Sequence, residues 1–218
     1  MIREATAKPT KCRELVMGPP DYMGIKDASI HGVGGFIMGQ KKACLPTVFR
    51  MEWPEWVKQE VLKTNAGTQG TLTNSDLEMA GLLLLWLVME EVCQLSSGSH
   101  VALFSDNSPT VSWVNRLASQ NSQVADQLIR ALSLRLKLKG VSPLSTMHIV
   151  GKKNEMTDIP PCSSGSERKW FCRAEKEETD LFNLYNSHFC LPDQNLWTIF
   201  RPSQDIISRM VLEMDQWQ

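Results

Sequence analysis

Hydrophobic and polar residues alternate in short runs over the first quarter of the chain, which is typical of β-strands. The runs predict three strands, at Tyr22–Asp27, Phe36–Met38 and Val48–Trp53. Gly32, Gly34 and Gly35 predict a tight turn between the first two of these strands. Because the three strands follow one another through short connections, we expect them to form an antiparallel meander.

Further along the chain, apolar residues recur at helical spacing. A short helix is predicted at Glu55–Leu62, and a strongly apolar helix at Ser75–Cys93 begins with the capping-box pattern Ser75-x-x-Glu78. The later predicted elements are a strand at His100–Phe104, helices at Pro109–Ala118 and Gln123–Lys139, and a strand at Thr146–Val150. This order predicts an α/β fold with a mixed five-stranded sheet, its first three strands antiparallel, flanked by helices.

Composition divides the chain into three segments. Residues 1–20 contain Lys-Pro and Gly-Pro-Pro and are predicted to be a linker or the remnant of a polyprotein. Residues 21–165 carry the predicted sheet and helices and form the expected domain. Residues 166–218 are predicted to be a C-terminal extension of unknown role, with a helix near Ser203–Met214.

Charge is nearly balanced over the whole chain but not along it. The 218 residues carry a formal net charge of −1, with 42% hydrophobic residues, as in an ordinary globular protein. Residues 101–153 hold seven basic residues against two acidic ones. This basic segment fits a nucleic-acid backbone, and it also fits a solvated helix face that carries lysines.

Cysteine usage predicts an intracellular protein, cytoplasmic or nuclear, because six cysteines form no Cys-x-x-Cys pair and no secretory signal precedes them. Cys162, Cys172, His188 and Cys190 match none of the usual zinc-finger spacings. The apolar run Met79–Met89 is too short for a membrane span and predicts a buried helix instead.

Four acidic residues stand where strands or helices would present a carboxylate, namely Asp27, Glu78, Asp106 and Asp158. Asp27 and Asp106 close predicted strands, Glu78 lies in the first turn of the apolar helix, and Asp158 follows the last strand. Hydrolysis of a phosphodiester with two divalent ions needs several carboxylates at one point. The order of the elements permits this convergence, with Mg²⁺ or Mn²⁺ as the ions.

The stretch from Tyr22 to Asp158 resembles a type-1 ribonuclease H domain of the kind carried behind the reverse transcriptase in retrotransposon polyproteins. The motifs are Asp27-Ala-Ser-Ile-His-Gly-Val-Gly-Gly, Asn74-Ser-Asp-Leu-Glu78, Phe104-Ser-Asp106-Asn107 and His148-Ile-Val-Gly-Lys-Lys-Asn154-Glu-Met-Thr-Asp158. The resemblance implies a ribonuclease H-like fold, two bound Mg²⁺ or Mn²⁺ ions, and cleavage of the RNA strand of an RNA–DNA hybrid. It also implies a reverse transcriptase module as a partner.

The resemblance further implies a role for each matching residue. Asp27 would bridge both ions, Asp158 would help to hold the ion that activates water, and Glu78 and Asp106 would hold the second ion. His148 would assist proton transfer or product release. The implied contacts with nucleic acid are Asn74, Asn107, Lys152 and Lys153.

Simpler roles for the same residues remain open at this stage. Glu78 fits the acid of a capping box, Asp106 a helix N-cap, Asp27 a turn residue, and His148 a partly buried strand residue. The sequence Thr157-Asp158-Ile-Pro-Pro161-Cys162 replaces the Ala-Asp and Ser-Arg motif of relatives, which favours an inactive binding or connection module as the alternative function. An integrase or transposase ranks below both, because Glu78 precedes Asp106.

Overall fold

A computed structural model describes residues 18–40, 44–141, 144–150, 182–183, 185–187, 189–191 and 196–215. Its strands are β1 (Tyr22–Ala28), β2 (Gly32–Gly39), β3 (Thr47–Glu52), β4 (Val101–Ser105), β5 (Leu144–His148) and β6 (Thr198–Phe200). Its longer helices are α1 (Glu55–Asn65), α2 (Asn74–Val92), α3 (Ser108–Arg116), α4 (Gln123–Lys139) and α5 (Gln204–Asp215).

The strands form one mixed sheet in the order β5-β4-β1-β2-β3-β6. Strands β1, β2 and β3 make an antiparallel meander, β4 runs parallel to β1, and β5 runs parallel to β4. Together with the flanking helices, this order confirms the predicted ribonuclease H-like α/β fold. It also brings the carboxyl ends of β1, β4 and β5 to one edge of the sheet.

Helix α2 forms the centre of the hydrophobic core. Every residue from Asp76 to Met89 is buried, because α2 packs on β1 and β2 on one side and on α4 and α5 on the other. Such a helix is apolar all round rather than amphipathic, which explains the uniform run Met79–Met89. Within the described residues, no helix has the length and hydropathy needed to cross a membrane.

The predicted glycine turn is wrong, because Gly32, Gly34 and Gly35 lie within β2. The chain reverses just before them, where the Ser29 N–H donates to the Gly32 carbonyl over 2.9 Å. A Cβ atom on Gly35 would stand 2.5 Å from the Ile25 carbonyl oxygen. Glycine is therefore required there by close packing inside the sheet.

The C-terminal part of the predicted extension joins the same sheet and core. Strand β6 pairs in parallel with β3, and α5 spans almost the predicted helix. Ile206, Met210 and Met214, spaced four residues apart, form the buried stripe of α5. Strand β6 is a sixth strand that the sequence pattern did not predict, since three residues are too few to show alternation.

Two thiols meet between the segment before β3 and the end of α2. Cys44 and Cys93 are buried, and their Sγ atoms lie 2.9 Å apart. The hydrogen bond between them lowers the pKa of Cys44, whereas the same bond and burial raise the pKa of Cys93. The two sulfur atoms are already close enough for thiol–disulfide exchange to join them.

We expect oxidised glutathione to convert this pair into an intramolecular disulfide, with two molecules of reduced glutathione released. Peptide mapping by mass spectrometry should find Cys44 and Cys93 linked, and Cys93→Ser should abolish the linked peptide. Glutathione found on the exposed Cys190 alone would contradict the expectation.

Candidate metal centre

Three of the four predicted acids converge in the structure. Asp27, Glu78 and Asp106 each offer a carboxylate oxygen, and these oxygens all lie within 4.8 Å of one another. Glu78 is buried, whereas Asp27 and Asp106 are partly exposed, so the cluster opens to solvent on the side of the two aspartates. We refer to these three residues as the carboxylate cluster.

Strand register explains why the two aspartates meet. Strand β1 pairs in parallel with β4, with Ile25 opposite Phe104, so Asp27 and Asp106 lie at equivalent positions where the two strands end. Ligand sites in sheets of this kind form outside the carboxyl ends of parallel strands. The sheet therefore places both carboxylates at the edge where a substrate can approach.

Helix α2 supplies the third carboxylate, and it is not the capping acid that the sequence pattern indicated. The N-cap is Thr73, whose hydroxyl accepts from the Asp76 N–H over 3.3 Å, while the Asp76 carboxylate accepts from the Thr73 N–H over 2.8 Å. The helix thus starts before Ser75, and Asp76 completes the capping box. Glu78 is left to face the sheet.

The N-cap interpretation of Asp106 is also wrong. The next residue, Asn107, caps α3 by accepting a hydrogen bond from the Thr110 N–H over 2.9 Å. The carboxylate of Asp106 is therefore available to the cluster rather than to the helix. Asp27 likewise lies within β1 and not in a turn.

A lysine that the sequence analysis did not single out completes the cluster. The side chain of Lys26 is fully buried, and its ammonium donates to a carboxylate oxygen of Glu78. A Cβ atom on Gly81 would lie 3.4 Å from Lys26 Cδ, so the helix passes close over the lysine stem at a residue without a side chain. Glu78 and Gly81 are three residues apart and thus share this face of α2.

The electrostatics of Glu78 follow from this setting. Burial raises the pKa of its carboxyl group above the usual value, and the charge of Asp106 raises it further. The Lys26 ammonium and the backbone N–H of Ala28 act in the opposite direction without overcoming burial. The buried setting of Glu78 therefore disfavours an uncompensated negative charge on its carboxyl group.

His148 lies beside the cluster at the same edge of the sheet. It ends β5 opposite Ser105, is exposed, and places Nε2 3.0 Å from the backbone carbonyl oxygen of Asp106. The interpretation as a partly buried strand histidine is thus wrong. Asn74 is exposed at the start of α2, one turn before Glu78.

Three predicted site residues, Asp158, Lys152 and Lys153, lie outside the described residues, as does Asn154 of the same motif. Cys162, Cys172 and His188, whose spacing matches no usual zinc finger, lie outside them as well, and Cys190 is exposed. The predicted roles of these residues stay predictions.

Comparison with known proteins gives limited similarity. No protein-family model matches the chain, and no curated protein matches it. Among solved structures, it is similar to LC11-RNase H1, a protein isolated from compost by a metagenomic approach, with a TM-score of 0.38 and 13% sequence identity. The match covers 64% of this chain and 91% of that chain. The fold class rests on the strand order and helices described above.

The carboxylate cluster fits a hard divalent cation. Its donors are all carboxylate oxygens, the type that Mg²⁺ and Mn²⁺ prefer, and the spacing of 4.8 Å or less allows them to share an ion. Lys26 is the one feature that fits less well, because it already neutralises one of the three carboxylates.

Proposed function

We propose that the protein is a metal-dependent endoribonuclease that cleaves the RNA strand of RNA–DNA hybrids. The observation that carries the proposal is the convergence of Asp27, Glu78 and Asp106 at the carboxyl edge of the sheet. Their order along the chain and their places on β1, α2 and the end of β4 match the motifs quoted above. The same motifs support a role as the ribonuclease H part of a retrotransposon polyprotein, beside a reverse transcriptase module.

Each residue of the carboxylate cluster would have its own role in holding the metal. Asp27 and Asp106, which are open to solvent, would hold a divalent ion where a phosphate can reach it, with Glu78 behind them. When bound, Mg²⁺ or Mn²⁺ polarises a phosphoryl oxygen and lowers the pKa of a coordinated water. We propose that Asp158 adds the fourth carboxylate and thereby allows a second ion.

His148 would act at the entrance to the site. Its exposed imidazole is anchored to the Asp106 carbonyl, so it can exchange a proton with solvent while staying beside the cluster. Asn74 and Asn107 would contact the hybrid from the starts of α2 and α3, and Lys152 and Lys153 would contact its backbone. Selection of the RNA strand would depend on its 2′-hydroxyl groups.

A direct assay tests this function. With Mg²⁺, the full-length protein should cut an end-labelled RNA at internal positions when the RNA is paired with DNA, and EDTA should abolish cleavage. The same RNA alone and the corresponding DNA duplex should stay intact. Folded protein that leaves the hybrid intact, or that cuts single-stranded RNA equally well, would contradict the proposal.

One observation favours a second candidate, a non-catalytic hybrid-binding module with this fold. Lys26 neutralises Glu78 from within the core, which leaves less negative charge to attract divalent ions. Such a module would retain hybrid in a filter-binding assay both with and without EDTA and would cut it in neither condition.

A further inference from the structure

We propose that Lys26 is a built-in cation of the carboxylate cluster, which holds Glu78 and weakens the binding of divalent ions at Asp27 and Asp106. The proposal rests on the proposed function, in that it concerns the same metal centre. It adds a regulating residue that lies directly before the first cluster acid in the sequence.

The first support is the position of the ammonium group. A lysine ammonium seldom lies in a protein core, because removing its charge from water is costly unless an opposite charge meets it. Lys26 is 0% exposed, and its ammonium donates to Glu78, the most buried acid of the cluster. This bond occupies one of the two carboxylate oxygens of Glu78 and places a positive charge beside the cluster.

The second support is that the surrounding residues accommodate the lysine. Lys26 faces α2, where its aliphatic stem passes within van der Waals reach of Gly81 and Glu78, one turn earlier, meets the ammonium. Helix and sheet thus fit around the lysine, so the ion pair belongs to the packed core.

The third support is the charge balance. Three ionised carboxylates carry three negative charges, and Lys26 reduces the total to two. One divalent ion balances that remainder, so a second ion would depend on the further negative charge proposed for Asp158. Even with screening close to that of water, repulsion between an ammonium and a divalent ion a few ångströms away amounts to about tenfold in a binding constant.

The test compares Mn²⁺ binding by the full-length protein and its Lys26→Met variant, measured by calorimetry and by the electron paramagnetic resonance of free Mn²⁺. Methionine keeps the unbranched shape of lysine and removes the charge. We expect the variant to bind Mn²⁺ about tenfold more tightly or better. We also expect Mn²⁺ to raise its melting temperature by more than that of the unmodified protein.

Arg135→Met is the matched control. Arg135 pairs with Glu90 over 2.8 Å, also on α2, but 12 residues from Glu78 and therefore about 18 Å along the helix. Its loss changes the net charge equally and should leave Mn²⁺ affinity unchanged. If Lys26→Met does not fold, Lys26→Gln removes the charge while keeping a hydrogen-bond donor for Glu78, and the same comparison applies.

The outcomes separate the inference from the function on which it rests. Equal Mn²⁺ affinity in the folded Lys26 variant and the unmodified protein would overturn the inference and leave the proposed nuclease intact. Folded proteins that bind no Mn²⁺ with or without Lys26 would overturn both. An equal gain in Arg135→Met would show a general charge effect and would also overturn the inference.

Discussion

Replacing either aspartate of the carboxylate cluster should greatly slow the cleavage of RNA–DNA hybrids while leaving the fold intact. Asp27→Asn and Asp106→Asn each remove one negative charge at the side of the cluster that opens to solvent. We expect each to lower the rate of hybrid cleavage by about 10²-fold or more, the usual effect of losing one group that stabilises transition-state charge. Rates measured at saturating hybrid and fixed Mg²⁺ would check this.

Asp205→Asn is the control for this prediction. Asp205 lies on the exposed surface of α5, where it pairs with Arg209, so its loss removes the same charge away from the site. Cleavage by this variant should equal that of the unmodified protein. Undiminished cleavage by the two cluster variants would show that the activity belongs to other residues.

A charged residue on the buried face of α5 should unfold much of the protein. Met210 is fully buried where α5 packs on α2 and α4, and an aspartate there would be desolvated in an apolar setting. We expect Met210→Asp to lower the free energy of unfolding by about 3 kcal/mol or more, as buried unpaired charges do. Urea denaturation followed by circular dichroism measures this change.

The same helix provides the control. Leu212 is 59% exposed, so Leu212→Asp introduces the same residue without burying it and should change stability by no more than about 0.5 kcal/mol. Equal stabilities for the two variants would mean that α5 does not pack on the core. The comparison matters for the site because α5 supports α2, the helix that carries Glu78.

Capping residues and the spacing of apolar residues predicted most helices and strands. These predictions failed at elements that are determined by contacts between residues distant in the sequence. Helix α4 spans the predicted Gln123–Lys139, because a serine caps its start and Gly140 ends it in the left-handed conformation. The glycines of β2 were assigned to a turn, since their sequence does not show that Gly35 packs against Ile25. Strand β6 depends on pairing with β3, which is 151 residues away at Thr47 and Thr198.

The candidate metal centre was likewise predicted only in part from the sequence. The order of the elements permitted the convergence of Asp27, Glu78 and Asp106, because parallel strands and the start of a helix can place such residues at one edge. The capping box was misplaced, because two overlapping patterns begin at Thr73 and Ser75 and only the helix start distinguishes them. Lys26 gave one signal that was missed, a charged residue at an inward position of a buried strand.

Binding of a divalent metal by the carboxylate cluster can be observed in crystals of the full-length protein. The crystals would be grown with millimolar Mn²⁺ and measured at the manganese absorption edge. We expect an anomalous peak in coordination contact with the carboxylates of Asp27 and Asp106, with Glu78 still held by Lys26. A well-ordered cluster without such a peak, or with manganese bound elsewhere only, would contradict it.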